Sequence, residues 1–292
     1  MHSLQSRATA FRLSSIQNMK LKITIICLIL LTFSIACQRN DVNEPMNPDM
    51  AKSMIKLKGY NADEAGFFQA VKNNDVVILK AFADAGVNLN GFNENGETPL
   101  TLAVQYAETK TVKTLIEKVN INQQDKKGNS PIHLALLKNK DDILNALLEK
   151  GADVNIAGRD KQTENQSVLY LAVIRNREDL IEQLLAKGAN PNLADSSGAV
   201  PLSEACLGGA VKTSIVKMLL DKGANPNLQE DNGATPLIYI ASNSQISGNK
   251  RQEVIKMMLE KGADKKIKDK KGKTAADWAK EVGNKDVVEL LK

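Results

Sequence analysis

The chain has 292 residues, 42% hydrophobic and 25% charged, which excludes a disordered polyelectrolyte and leaves enough apolar material for a core. Its formal charge of +5 points toward nucleic acid only until the charge is located. Arg7, Arg12, Lys20 and Lys22 stand in the first 36 residues with no acid among them, and the remainder carries 35 basic against 34 acidic residues. A near-neutral remainder has no general attraction for phosphate backbones, so no nucleic-acid partner is expected.

From Met19 the chain reads MKLKITIICLILLTFSIAC. Lys20 and Lys22 precede an apolar run from Ile23 to Ala36, which is too short to span a bilayer as a stable helix but fits the apolar region of a secretory signal peptide. Ser34-Ile35-Ala36-Cys37 resembles a bacterial lipobox, with Ser34 where a Leu is usual. The resemblance implies that Cys37 is lipidated and becomes the first mature residue, giving a membrane-anchored lipoprotein of the bacterial envelope that faces the periplasm. Secretion with cleavage after Ala36, or a retained membrane anchor, are the alternatives. Residues 1–18 read either as a mis-assigned start ahead of Met19 or as a long positive region of the signal. Residues 37–62 begin with the polar, Pro45- and Pro48-containing stretch QRNDVNEPMNPDM, and are expected to form a flexible tether.

Beyond Asp63 the chain repeats itself with a period in the thirties, the mark of a solenoid. GNSPIHLALLKNKDDILNALLEKGADVN (128–155), GAVPLSEACLGGAVKTSIVKMLLDKGANPN (198–227) and a unit opening GATPLIYIA (233–241) and closing MMLEKGADKK (257–266) carry the register. Thr or Ser followed by Pro caps and opens a first helix. Leu144, Leu147 and Leu148 place an apolar stripe on a second helix. Gly86, Gly151, Gly188, Gly223 and Gly262 stand where a left-handed residue ends that helix, ahead of an Asp/Asn-rich turn. Seven units follow: about 63–95, 96–127, 128–164, 165–197, 198–232, 233–271 and 272–292. The second has Val119 where the others have Gly, so a tighter or distorted helix end is expected there. Extra residues fall around Gly158–Glu164, at Gly208-Gly209 and over Ser242–Lys250. The last two are readable as loop growth or as partner contacts.

These units resemble the ankyrin repeat, whose T-P-L-H-x-A opening is visible as Thr98-Pro99-Leu100, Ser130-Pro131-Ile132-His133-Leu134-Ala135 and Thr235-Pro236-Leu237. The resemblance covers 63–292. It implies an all-α solenoid of helix–turn–helix units with projecting β-hairpin loops, and a structural role for His133 in the turn network. It also implies a binding module whose partner is another protein, held on the concave face of first helices and hairpin tips. Scaffold and inhibitor of an enzyme or toxin are both open within that function. By register, the exposed first-helix positions include Gln105, Tyr106, Leu137, Lys138, Ile174, Arg175 and Leu207. Tyr106, Leu137, Ile174 and Leu207 would form an apolar strip rimmed by Lys138 and Arg175. Their competing reading is half-burial against adjacent units.

Nothing in the residues points to catalysis. Cys27, Cys37 and Cys206 lack C-x-x-C spacing, and beyond residue 37 one thiol and one histidine, His133, remain. No Walker loop, G-x-S-x-G or G-x-G-x-x-G is present, so no cofactor, metal or small-molecule substrate is expected. Asp141 and Asp142 sit where acids favour a helix start. A lysine cluster, Lys265, Lys266, Lys268, Lys270, Lys271 and Lys273, surrounds the last hairpin. It is readable as a solvated tip or as a contact with acidic lipid head groups.

Overall fold

The structure, a computed structural model, describes residues 45–158, 166–209 and 211–292. The signal segment, Cys37 and most of the insertion after Gly158 lie outside those residues. The described residues form fifteen helices, all within the unit 48–292: α1 Pro48–Leu57, α2 Glu64–Lys72, α3 Val76–Asp84, α4 Pro99–Tyr106, α5 Thr109–Ile116, α6 Pro131–Leu137, α7 Asp141–Glu149, α8 Val168–Ile174, α9 Glu178–Ala186, α10 Pro201–Leu207, α11 Thr213–Asp221, α12 Pro236–Ser242, α13 Gly248–Glu260, α14 Ala275–Glu281 and α15 Lys285–Leu291. No strand is present among them, and the expected β-hairpins are tight turns. The one isolated bridge, Gly158 with Gln166, closes the enlarged loop of the third unit.

Each first helix begins where its cap is. The side chains of Thr98, Ser130, Ser167 and Thr274 accept the backbone N–H three residues on, satisfying a donor that the first turn leaves free. Val200 has no such oxygen, and Ser203 takes over by accepting the Val200 N–H at 3.1 Å. Second helices end on the expected glycines. At Gly188 φ is +85°, Gly188 N–H donates to Leu185 and Ala189 N–H reaches back to Leu184, the paired closure that a left-handed residue permits. Val119 has no positive φ, and its N–H bonds instead to Leu115, so that helix end lacks the paired closure.

The helices stack in two rows, first helices on first helices (α2, α4, α6, α8, α10, α12, α14) and second on second. Between the rows lies an aliphatic core, with Leu79, Leu100, Leu115, Ile132, Leu136, Leu144, Leu147 and Leu184 all buried. Burying one such side chain stabilises the fold by about 1.5–3 kcal/mol, so the repeats hold together by stacking rather than by any single unit. His133 is completely buried, and its imidazole lies so close under Gly158 that an added Cβ would stand 2.3 Å from the ring.

The segment expected to be a tether is in part structural. Its residues 48–57 form α1, which buries Ala51 and Ile55 and packs on α3. α1 covers the apolar end that the first second helix would otherwise expose, as a terminal capping element must. Ala51, Met54 and Ile55 fall on one face of this helix, a short amphipathic pattern that the polar, proline-containing stretch before it obscures. At the other end the extra residues of the sixth unit lengthen α13 to 13 residues and bury Arg251.

Candidate protein-binding face

Two polar networks hold neighbouring units in register, and they determine which first-helix side chains remain available. The first is a ladder of asparagines in the turns. Asn90, Asn122, Asn155, Asn192 and Asn227 each accept, through Oδ1, the backbone N–H of the following unit's turn: Asn120, Asp153, Asn190, Asn225 and Asp264, at 2.7–2.9 Å. Three of them also donate Nδ2 to the carbonyl of the next unit's helix-ending glycine: Asn155 to Gly188, Asn192 to Gly223 and Asn227 to Gly262.

The second network caps first helices from outside. The last carbonyls of a helix have no partner within it. Here a donor from the next unit supplies one: Lys140 to the Gln105 carbonyl, Arg175 to Leu136, Asn243 to Cys206 and to Gly208 at the helix end, and Asn284 to Ala241, while Lys212 reaches the Asn176 carbonyl in the turn just past α8. A cation at a helix C-terminus also meets the negative end of the helix dipole.

This assigns the predicted row. Leu137, Ile174 and Leu207 share one register position, the last residue of α6, α8 and α10, where the second unit has Gln105; Tyr106, the last residue of α4, falls one position later, level with Lys138 and Arg175. Tyr106 is 66% exposed, Leu207 44% and Ile174 43%. Leu137 is half-buried, in line with the competing reading for this strip. Lys138 is exposed, but Arg175 is not a free rim charge, because its guanidinium is committed to the Leu136 carbonyl at 2.5 Å and to Asn139 Oδ1 at 2.7 Å. Gln105 is half-buried and donates to Glu97 at 3.2 Å. The row continues as Ser242 in α12, so its apolar part ends at the fifth unit.

Farther along, four side chains from three units come together that periodicity does not single out. Tyr170 donates its hydroxyl to Glu204 Oε2 at 3.2 Å, and Tyr239 donates to Glu230, whose turn also supplies Asn232 to the Tyr239 oxygen at 2.7 Å. Burial, then the Glu204 carboxylate, pushes the Tyr170 hydroxyl far above its usual range. Tyr239 is pushed up to about 12 by burial and by its bond to Glu230. Glu204 is itself raised, chiefly by burial; the Tyr170 bond opposes this, and Glu230 and Asp195 add to it. A signal for this cluster exists in the residues. Glu230 stands where the other turns have Asp125, Asp195 and Asp269, whose short carboxylates accept backbone N–H groups of their own turn. The longer Glu230 turns to Tyr239 instead, and Asn232 accepts the Ala234 N–H in its place.

Burial raises the Cys206 thiol far above its ordinary value, so it behaves as a small core hydrophobe. Among the described residues no group of three or more His, Cys, Asp and Glu side chains is placed to hold a metal ion, and no helix is long and apolar enough to cross a membrane.

The family model for ankyrin repeats (3 copies) matches residues 34–125, 67–158, 156–229 and 202–292. Among solved structures the chain is similar to the ankyrin repeat domain of Bcl-3, a member of the IkappaB protein family, with TM-score 0.60 and 25% identity over 77% of this chain and 96% of that one. It is also similar to the ankyrin repeat protein EF0377, with TM-score 0.55 and 30% identity over 68% of this chain and 98% of that one. Curated relatives match shorter stretches. Alpha-latrocrustotoxin-Lt1a of Latrodectus tredecimguttatus is 34% identical over 91 residues, 30% of this chain and 6% of the toxin. Putative ankyrin repeat protein FPV034 of Fowlpox virus is 32% identical over 102 residues, 34% of this chain and 24% of that protein. The chain thus matches only a small fraction of these relatives' length. The matched repeats, the stacked helix pairs and the glycine-closed turns establish one conclusion: the chain belongs to the ankyrin-repeat proteins, whose fold is a protein-interaction module.

Proposed function

We propose that this chain is a lipid-anchored protein of the bacterial envelope, facing the periplasm, that binds another protein with its row of first helices. The observation that carries the binding reading is the exposure of Tyr106, Ile174 and Leu207, three large apolar side chains at the C-terminal ends of the first helices α4, α8 and α10. Such a row rimmed by polar groups is what a protein partner covers on association. The anchor reading is supported by Lys20, Lys22, the apolar run 23–36 and the small residues leading to Cys37. Acyl chains on that thiol add about 0.8 kcal/mol of membrane affinity per buried CH₂.

The binding reading is tested with the double variant Ile174→Asp, Leu207→Asp. Crosslinking in cells followed by mass spectrometry should lose a partner that the parent chain retains, with the melting temperature unchanged. Retention of every crosslinked partner by the variant would reject the face. The anchor is tested separately, since labelled lipid incorporated by the parent should be absent from Cys37→Ser.

A further inference from the structure

The hairpin between the sixth and seventh units concentrates positive charge in a way no other turn of the array does. Lys266, Lys268, Lys270 and Lys271 are exposed, and none of them is ion-paired among the described residues. Their two acidic neighbours are engaged by N–H groups of the turn itself. Asp264 Oδ1 accepts the Lys266 N–H at 2.8 Å. Asp269 accepts the N–H groups of Lys271 and Lys273 and, through Oδ2, the indole N–H of Trp278 at 2.7 Å. The carboxylates therefore build the turn, and the ammonium groups are left to project. Two flanking lysines are already engaged, Lys261 with Asp221 at 2.9 Å and Lys273 with Glu281. Trp278 forms the floor of the patch, with Lys271 Nζ 5.0 Å and Lys273 Nζ 4.5 Å from its ring centre.

Asp277 is held below its ordinary range first by the Thr274 N–H and hydroxyl, and then by Lys280 and Lys268. The patch is also confined. The neighbouring turn tips carry Ser196 and Ser197, then Asp231 and Asn232, and Asp231 is exposed beside the hairpin. A nucleic-acid strand needs a basic track along its backbone, and here the track stops after one hairpin. A surface of anionic head groups needs only a local cluster of lysines near it.

We infer that the Lys266–Lys271 hairpin is a docking patch for an anionic lipid surface, giving the array a second membrane contact at the end opposite to α1. It rests on the envelope reading for its biological setting, but the binding itself does not require the anchor. A second contact would restrain the orientation of the array on the membrane.

The test uses the chain from residue 38 onward, which keeps the whole compact unit 48–292 and carries no acyl chain. Sedimentation with phosphatidylglycerol-containing vesicles should exceed that with pure phosphatidylcholine vesicles and should fall in high salt. Replacing Lys266, Lys268, Lys270 and Lys271 by Gln should reduce the partition coefficient by about tenfold or more. The same charge removed at Lys110, Lys113, Lys118 and Lys127 should leave it within about twofold, showing that position rather than net charge matters. Trp278 is the single tryptophan of the chain, so a nitroxide head-group lipid should quench its emission in the anionic vesicles only. Equal partition into both vesicle types, or partition unaffected by the hairpin variant, would overturn the inference. Capture of an acidic protein or of RNA by the same lysines, without vesicle binding, would overturn it in favour of that partner. Loss of lipid labelling at Cys37 would leave these outcomes untouched, so the two readings fail separately.

Discussion

The side-chain oxygen of Asn155 accepts the backbone N–H of Asn190 at 2.8 Å, while its amide donates to the Gly188 carbonyl at 3.1 Å. One side chain thereby satisfies a donor and an acceptor of the next unit and joins turns 35 positions apart. Replacing Asn155 by Ala should lower stability by about 1–2 kcal/mol, the combined effect of two partly exposed hydrogen bonds. The urea midpoint measures this. An unchanged midpoint would mean that water replaces both bonds without loss.

Where a glycine ends a second helix, it is required by backbone conformation rather than by space. At Gly223 φ is +86° and nothing lies within 4 Å of an added Cβ. Gly223→Ala should therefore cost about 1 kcal/mol through the left-handed backbone alone. Val119→Gly should bring no comparable gain, because that helix end already closes without a positive φ. Thermal melts of the two variants decide the point, and a large stabilisation from Val119→Gly would contradict it.

Arg251 is 4% exposed and fastens the last unit. Its Nε donates to the Asn243 carbonyl at 3.0 Å, one terminal nitrogen to Ile246 at 2.9 Å and the other to Asp286 at 2.6 Å. Arg251→Met would leave two buried carbonyls and a carboxylate without this partner, a loss of about 2–4 kcal/mol. Solenoid units open from their ends. Hydrogen exchange should therefore show protection lost in α14 and α15 and retained in α5 and α6. Uniform loss across the array would show that the node supports the whole stack.

The Glu204 carboxyl lies above its ordinary value of 4.5, chiefly because it is buried; its bond from Tyr170 works against this, and Glu230 and Asp195 add to it. An acid whose folded value is raised destabilises the fold once ionised. That cost is absent below the ordinary value, grows as pH rises toward the folded value and is complete above it. Glu204→Gln should accordingly be the more stable form at neutral pH, by under about 1 kcal/mol because the half-exposed group is screened. The advantage should vanish on acidification below 4.5. Melting curves of both proteins across that range check the sign, and a constant offset would exclude ionisation of Glu204 as its source.

What the sequence by itself determined is everything that closes within one unit: the caps at Thr98 and Ser130, the apolar stripe of α7, the glycine closures and hence the helix–turn–helix repeat. These are contacts over a few positions, with recurring residue types. The stacking decided the rest. Whether Leu137 is exposed, whether Arg175 is a free charge, and whether residues 48–57 are tether or cap depend on partners about one unit away. So does the meeting of Tyr170, Glu204 and Tyr239. Arg175 finds Leu136 across 39 positions, and α1 has helical shape but finds its burial only against α3. Such pairings depend on the rotation of one unit on the next, which side-chain volumes and cross-unit hydrogen bonds fix together and no local pattern encodes.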